Sequence, residues 1–186
     1  QQDVTDAQGL AEAIRKYDVD TIYHLVGVLS ARGEKNPDLA WDVNINSLRH
    51  VLEIARSNQL RVFWPSSIAV FGPTTPRTMT PQRTILEPTT MYGTTKVTGE
   101  LLCKYYWEKY GVDSRSLRFP GLLSYKTPPG GGTTDYAVEI FHYVRQRQAY
   151  TCYLGEETSL PMMYMDDAIA AIQQLMAAPN DMLTVR

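Results

Sequence analysis

Tyr92 and Lys96 stand four residues apart in Tyr92-Gly93-Thr94-Thr95-Lys96, and a serine pair, Ser66-Ser67, precedes them. On a helix, residues four apart share a face, so a Lys96 ammonium can lie beside the Tyr92 phenol. A free phenol has a pKa of about 10, and a neighbouring cation favours the phenolate, which is a usable base at neutral pH. A hydroxyl such as Ser67 could then hold the substrate oxygen in place. These are the parts of a redox site.

A tyrosine and a lysine at this spacing also occur on solvated helix faces, so the elements around them decide the reading. Residues 61–67 read as a short apolar strand ending in small hydroxyls, followed by a loop that carries Pro73, Pro76, Pro81 and Pro88. In open α/β sheets the ligand crevice lies at the carboxyl ends of the strands, where Ser67 would sit. Ser66 is expected to satisfy local backbone groups only. A helix is expected over residues 91–111, with Gly111 as its C-cap.

Strand and helix patterns alternate along the rest of the chain. Asp6 is expected to cap a helix over 7–17. Residues 21–28 read as a buried strand in which Gly27 permits close approach of a ligand or backbone. After a polar turn at 33–36, Pro37 suits the first turn of a long helix through Ser57, with Leu39, Val43, Leu48, Val51, Leu52 and Ala55 as its apolar stripe. Residues 112–124 are expected to be a strand and 127–132 irregular. A helix from Thr133 or Thr134 to about Arg147, a strand over 150–154, and a helix over 168–178 capped by Asp166 and stopped by Pro179 complete the reading. Such alternation argues for a parallel sheet covered on both faces.

With 186 residues and 44% hydrophobic content, the chain is large enough for one globular domain with a proper core. A net charge of −2 with scattered basic residues leaves no electrostatic footprint for nucleic acid or an acidic membrane. No apolar run is long enough to span a bilayer, and no signal-peptide pattern opens the chain. Cys103 and Cys152 provide neither metal-ligand spacing nor a disulfide framework, which fits a reducing compartment. His24, His50 and His142 are far apart in unlike contexts, so no metal site is expected.

The chain resembles the extended short-chain dehydrogenases/reductases, and within them the short-chain type of L-threonine 3-dehydrogenase. The broader likeness rests on His24-Leu25-Val26-Gly27, Asn44-Ile45-Asn46-Ser47, Ser66-Ser67 through Phe71-Gly72, Tyr92 to Lys96, and Tyr164-Met165-Asp166-Asp167-Ala168. The narrower one rests on Leu29-Ser30-Ala31-Arg32-Gly33-Glu34, Trp64-Pro65-Ser66-Ser67-Ile68-Ala69-Val70-Phe71-Gly72-Pro73, Leu117-Arg118-Phe119-Pro120-Gly121 and Gly130-Gly131-Gly132-Thr133-Thr134-Asp135-Tyr136-Ala137-Val138-Glu139-Ile140-Phe141. Strings of this length are specific.

The resemblance implies a Rossmann-like doubly wound parallel sheet, with a partial NAD-binding domain over 1–125 and a partial substrate-binding region over 126–186 interleaved with it. It implies oxidation of L-threonine to 2-amino-3-ketobutyrate with NAD+ as hydride acceptor. Tyr92 would take the hydroxyl proton, Lys96 would lower the tyrosine pKa and bond the nicotinamide ribose, and Ser67 would bond the reacting oxygen. Asp3 and Val4 would lie near adenine, Leu25, Val26 and Gly27 along the phosphates and ribose, and Pro120 by the nicotinamide, with Asn44 joining them. Ser30 and Thr134, and then Thr133, would reach the amino-acid end of threonine, and the triple glycine would close over it. A homodimer built on the helices at 37–57 and 91–111 is expected, in a bacterial cytoplasm or a mitochondrial matrix.

The family's glycine loop, which carries the pyrophosphate, and the acidic residue that selects NAD over NADP would lie before Gln1, and the last part of its substrate domain after Arg186. The chain therefore reads as a portion of a longer enzyme. Two other readings share these residues. A sugar-nucleotide epimerase or dehydratase has the same Tyr-Lys pair, serine and fold, but usually an asparagine where this chain has Phe119-Pro120-Gly121. An idle nicotinamide-binding module would be marked by loss of Tyr92, Lys96 or Ser67, all of which are present.

Overall fold

The computed structural model describes residues 2–126, 128, 130, 132 and 134–183. The chain enters through α1 (Ala7–Lys16), whose first turn is closed by the Asp6 carboxylate accepting the Gly9 N–H at 3.0 Å. β1 (Thr21–Tyr23) follows, and the strand is shorter than its apolar run, which continues to Val28. The backbone leaves the sheet after His24 because Val28 gives both its N–H and its C=O to the side chain of Asn44 rather than to a neighbouring strand.

Residues 33–36 are not a polar turn. α2 (Ser30–Lys35) occupies the region, and Asn36 ends it and caps α3 (Pro37–Trp41) by accepting the Leu39 N–H at 3.2 Å. The expected long helix continues through a π-helical turn (Asp42–Asn46) into α4 (Ser47–Asn58), which stops at Gln59 in the left-handed region with φ 55°. β2 (Arg61–Ser67) and α5 (Met91–Tyr110) match their expected extents, and Gly111 closes α5 with φ +71°.

The expected strand over 112–124 is two strands, β3 (Ser114–Phe119) and β4 (Gly121–Leu123), separated at Pro120, which has no N–H to continue a ladder. α6 (Tyr136–Arg145) begins after Thr134, while Thr133 and Gly131 lie outside the described residues. No strand forms over 150–154. The aromatic pattern there serves ring packing, with Tyr150 5.0 Å from Tyr143 and Tyr153 6.1 Å from Tyr136. β5 (Met162–Tyr164), not anticipated, leads into α7 (Met165–Ala177), in which Asp166 sits in the first turn without capping it.

β1, β2 and β3 form one parallel sheet in that order, and β4 pairs in parallel with β5 in a second. Alternation along β2 shows how the first sheet is covered. Val62 and Trp64 face Leu48, Leu52 and Cys103 of α4 and α5, whereas Phe63 faces Phe119, Ala168 and Met176 on the α7 side. All three β2 residues are at most 1% exposed. A parallel sheet buried on both faces is the doubly wound α/β arrangement.

Two arginines fasten α7 to the sheet. Arg115 Nη1 donates to the carbonyls of Leu175 and Ala178 at 2.6 and 2.7 Å, and Arg61 donates to that of Met176 at 3.2 Å. The last turn of a helix leaves carbonyls unpaired, and cations there are favoured.

Candidate active site

Three chain segments meet at the carboxyl end of the first sheet: the loop after β1, the end of β2 and the Pro120 break after β3. They enclose a cavity of about 520 Å³. Leu25, Val26 and Gly27 line it from the first segment, Ser67 from the second and Pro120 from the third. α5 adds Tyr92 and Lys96, α2 adds Ser30, and Thr134 reaches in from the turn before α6.

The start of α5 is held firmly. Thr90 caps it through Gly93, and the Met91 N–H donates to Glu34 of α2 at 2.6 Å. α5 lies close on the sheet because Gly99 has no side chain: a Cβ there would come within 2.2 Å of the Trp64 ring. This approach carries Lys96 inward until it is 5% exposed, with Nζ donating to Pro65 O at 2.6 Å and lying 4.4 Å from the Trp64 ring centroid.

Burial dominates the electrostatics. It pushes Lys96 down to about 8, with Cys103 and then Glu100 acting in the opposite direction. Burial also raises Tyr92, opposed by its hydrogen bond with Ser67. The expectation that Lys96 acidifies Tyr92 is thus corrected for this state of the site. The ammonium is 5.4 Å from the tyrosine ring centroid and engages a carbonyl instead, so desolvation of the phenol prevails.

Ser66 and Ser67 have different employment. Ser67 opens to the cavity and accepts the Ala69 N–H, whereas Ser66 donates to Glu100, which also holds Arg118 through two contacts of 2.7 Å. Glu100 thereby ties α5 to both β2 and β3 directly beneath the site. This brace has no signal in the sequence beyond the spacing of Glu100 one turn after Lys96.

Three cofactor candidates lie outside the cavity lining. Asp3 and Val4 precede α1, and the Asp3 carboxylate is occupied by the Thr5 N–H and hydroxyl at 2.8 and 2.7 Å. Asn44 is 2% exposed and lies beneath the Leu25–Val28 loop. Conversely, Asp135 lines the cavity, with one carboxylate oxygen accepting the Gly132 N–H at 2.7 Å. Its one sequence signal was its place beside Thr134.

Residues 1–185 match the profile of the NAD dependent epimerase/dehydratase family. The chain belongs to that family. An uncharacterized epimerase/dehydratase of Staphylococcus haemolyticus is 53% identical over 184 residues, which are 99% of this chain and 58% of the relative. This chain therefore spans a little over half of that relative's length. Among solved structures, the GalE-like L-threonine dehydrogenase of Cupriavidus necator in its holo form is 55% identical, with a TM-score of 0.97 over 100% of this chain and 61% of its own. L-threonine dehydrogenase from Phytophthora infestans is 54% identical at a TM-score of 0.97, covering 100% and 60%. UDP-glucose 4-epimerase of Thermotoga maritima, 20% identical at a TM-score of 0.86 over 95% of this chain and 58% of its own, shares the fold.

Leu25 and Val26 are 60% and 46% exposed although apolar, and with Pro120 they offer a surface that a flat ring can cover. Lys96 gives one N–H to Pro65 and, as an ammonium with three donors, can serve a ribose hydroxyl as well. These groups fit a nicotinamide nucleotide. Among the described residues, no cluster of three or more His, Cys, Asp or Glu is arranged to hold a metal, and no helix is long and apolar enough to cross a membrane. Cys103 is buried, its thiol pushed up to about 12 by desolvation, and Cys152 is exposed.

Proposed function

We propose that this chain carries the catalytic portion of an NAD-dependent L-threonine 3-dehydrogenase, which oxidises L-threonine to 2-amino-3-ketobutyrate. The observation that carries the reading is the meeting of Ser67, Tyr92 and Lys96 in one cavity with Ser30 and Thr134. Support comes also from the solved structures named L-threonine dehydrogenases at 54–55% identity. The lining carries a carboxylate, Asp135, that suits the ammonium of an amino acid and opposes the diphosphate of a sugar nucleotide.

NAD+, when bound, supplies the hydride acceptor. The proton of the substrate hydroxyl passes to the Tyr92 oxygen, while Ser67 donates a hydrogen bond to the same substrate oxygen as it becomes a carbonyl. Lys96 holds the ribose side of the site and supplies positive charge near Tyr92. Ser30, Thr134 and Asp135 orient the amino-acid end. Burial alone holds Tyr92 above its ordinary value, so this reading requires the phenol to be acidified once a positively charged nicotinamide stands beside it.

The outer face of α5, where Leu101 and Tyr105 are 62% and 50% exposed, is the surface we assign to a second copy of the chain. A reducing compartment, cytoplasm or mitochondrial matrix, suits the exposed Cys152 thiol. NADH formation from L-threonine and NAD+, followed by absorbance in this chain and in one extended to the length of its relatives, tests the reading. Turnover is expected in the extended form, and Tyr92→Phe is expected to lower it roughly 100- to 10,000-fold with NADH binding retained. Turnover of a UDP-sugar with none of threonine would overturn it in favour of an epimerase.

A further inference from the structure

Gly121 opens β4 directly after the Pro120 break, with its N–H donating to Pro161 O at 3.1 Å and its Cα in register with Met162 of β5. It is buried and lines the cavity. A Cβ at this position would come within 2.4 Å of Thr134 Cγ2, 2.7 Å of Met162 Sδ and 2.8 Å of Thr134 Cβ. The backbone does not call for glycine here, because Gly111 and not Gly121 has a positive φ. The missing side chain is a matter of space, and the methyl of Thr134 occupies that space.

The two neighbours differ in what they could concede. The Met162 sulfur lies near the end of a flexible side chain and can turn aside. Thr134 is β-branched and stiff at χ1, and its Cβ is itself too close, so it could yield only together with its backbone. That backbone is tied to the start of α6: Thr134 O accepts the Ala137 N–H at 3.2 Å, and Asp135 O accepts those of Val138 and Glu139 at 2.9 Å. Asp135 is tied in turn to Gly132, whose N–H reaches its carboxylate at 2.7 Å and whose carbonyl accepts its N–H at 3.2 Å. Gly132, Thr134 and Asp135 therefore shift as a unit with the first turn of α6, a helix with no buried residue to hold it back.

We infer that Gly121 is a positioning residue that selects the class of substrate: the seat it leaves for the Thr134 methyl lets Thr134 and Asp135 enter the cavity, which narrows it for a small molecule bearing an ammonium group. A side chain at 121 would drive both residues outward, widening the cavity and withdrawing a carboxylate from it. The substrate class rests on the dehydrogenase reading proposed above, whereas the seat is a contact that exists without substrate.

The test uses Gly121→Ala and the double variant Gly121→Ala/Thr134→Ser, which removes the methyl that the new Cβ meets and keeps the hydroxyl, both in the chain extended to the length of its relatives. Amide hydrogen exchange of a peptide spanning residues 134–141 is measured without ligand. Gly121→Ala is expected to speed that exchange several-fold although the substituted residue lies on β4, and the double variant to bring it back toward the wild type. In the threonine assay KM is expected to rise roughly 10- to 100-fold in Gly121→Ala, with kcat within about threefold and NAD+ affinity unchanged. The double variant is expected to recover part of that loss, since groups in contact are coupled.

Unchanged exchange over 134–141 in Gly121→Ala would overturn the seat whatever the substrate is. So would a double variant no better than Gly121→Ala, including the case in which neither folds, because the conflict would then not be with Thr134. A fall in kcat and melting temperature at unchanged KM would reduce Gly121 to a packing residue and overturn its part in selection. Altered and rescued exchange in an enzyme that ignores threonine would leave the seat standing and remove the substrate assignment.

Discussion

The two halves of the molecule are built to different standards. Around the first sheet, Val62, Phe63, Trp64, Leu48, Leu52 and Cys103 are all at most 1% exposed, and the polar groups among them are bonded to one another across elements. Beyond Pro120 the packing thins. α6 has no buried residue, and Phe141 and Val144 on it are 72% and 66% exposed. Tyr92, Lys96 and Ser67 belong to the dense half, and Thr134 and Asp135 to the sparse one. On the proposed reading, the contrast places the groups assigned to the reacting oxygen where packing is dense and those assigned to the amino-acid end where the chain can adjust.

The largest expected effect sharpens the dense side of that contrast. Burial, and then the positive charge of Lys96, hold His24 down to about 4 against an ordinary value of 6.5. A histidine whose folded pKa is depressed takes up a proton on unfolding, so its stabilising contribution is complete above about pH 6.5 and is lost as pH falls toward 4. The cost by pH 4 is about 3 kcal/mol. Urea unfolding from pH 7 to pH 4 should show this decline in the wild type and a shallower one in His24→Gln. Equal slopes would mean that the buried His24–Ser47 pair does not constrain the core.

Next comes the contact that lets α5 approach the sheet. Gly99→Ala improves helix propensity by about 1 kcal/mol, but its Cβ would meet Trp64 ring atoms at 2.2 and 2.5 Å, and that ring is 1% exposed. Overpacking costs about 1–3 kcal/mol, so against the propensity gain the net loss is up to about 2 kcal/mol. A thermal melt reads it directly. A stabilised Gly99→Ala would show that the dense half has slack.

What could be read from sequence follows the same division. The Tyr92–Lys96 pair, the serine-ended strand and the closing Gly111 were legible because each depends on local periodicity or a cap. The π-helical turn was not, since one extra residue per turn leaves the apolar stripe from Leu39 to Ala55 recognisable. Nor did the sequence show that Asn44, placed beside the cofactor by resemblance, would bond Val28 and Thr95 from that turn. In the sparse half, local signals misled. Tyr150 and Tyr153 resembled a strand, yet they pack on the rings of α6. The place of Asp135 in the cavity lining was hidden because the cavity is assembled from segments that only the fold brings together.

A smaller effect is expected from Asp135→Asn, which keeps an acceptor for the Gly132 N–H and removes the charge. If Asp135 meets the substrate ammonium, KM for threonine should rise roughly tenfold, equivalent to about 1.4 kcal/mol, with kcat and thermal stability little changed. Steady-state kinetics separates this from a structural role, in which melting temperature would fall together with kcat.

The smallest expected effect probes whether α6 is as unsupported as its exposure indicates. Phe141 is 72% exposed and its helix has no buried residue, so Phe141→Ser removes little packing. Surface substitutions of this kind fall within about 0.5 kcal/mol. Unfolding in urea at two protein concentrations decides the matter. A loss well above that figure, growing with protein concentration, would mean that a second copy covers the α6 face. The sparse half would then be sparse only as an isolated chain, and the contrast with the dense half would lie in what each packs against.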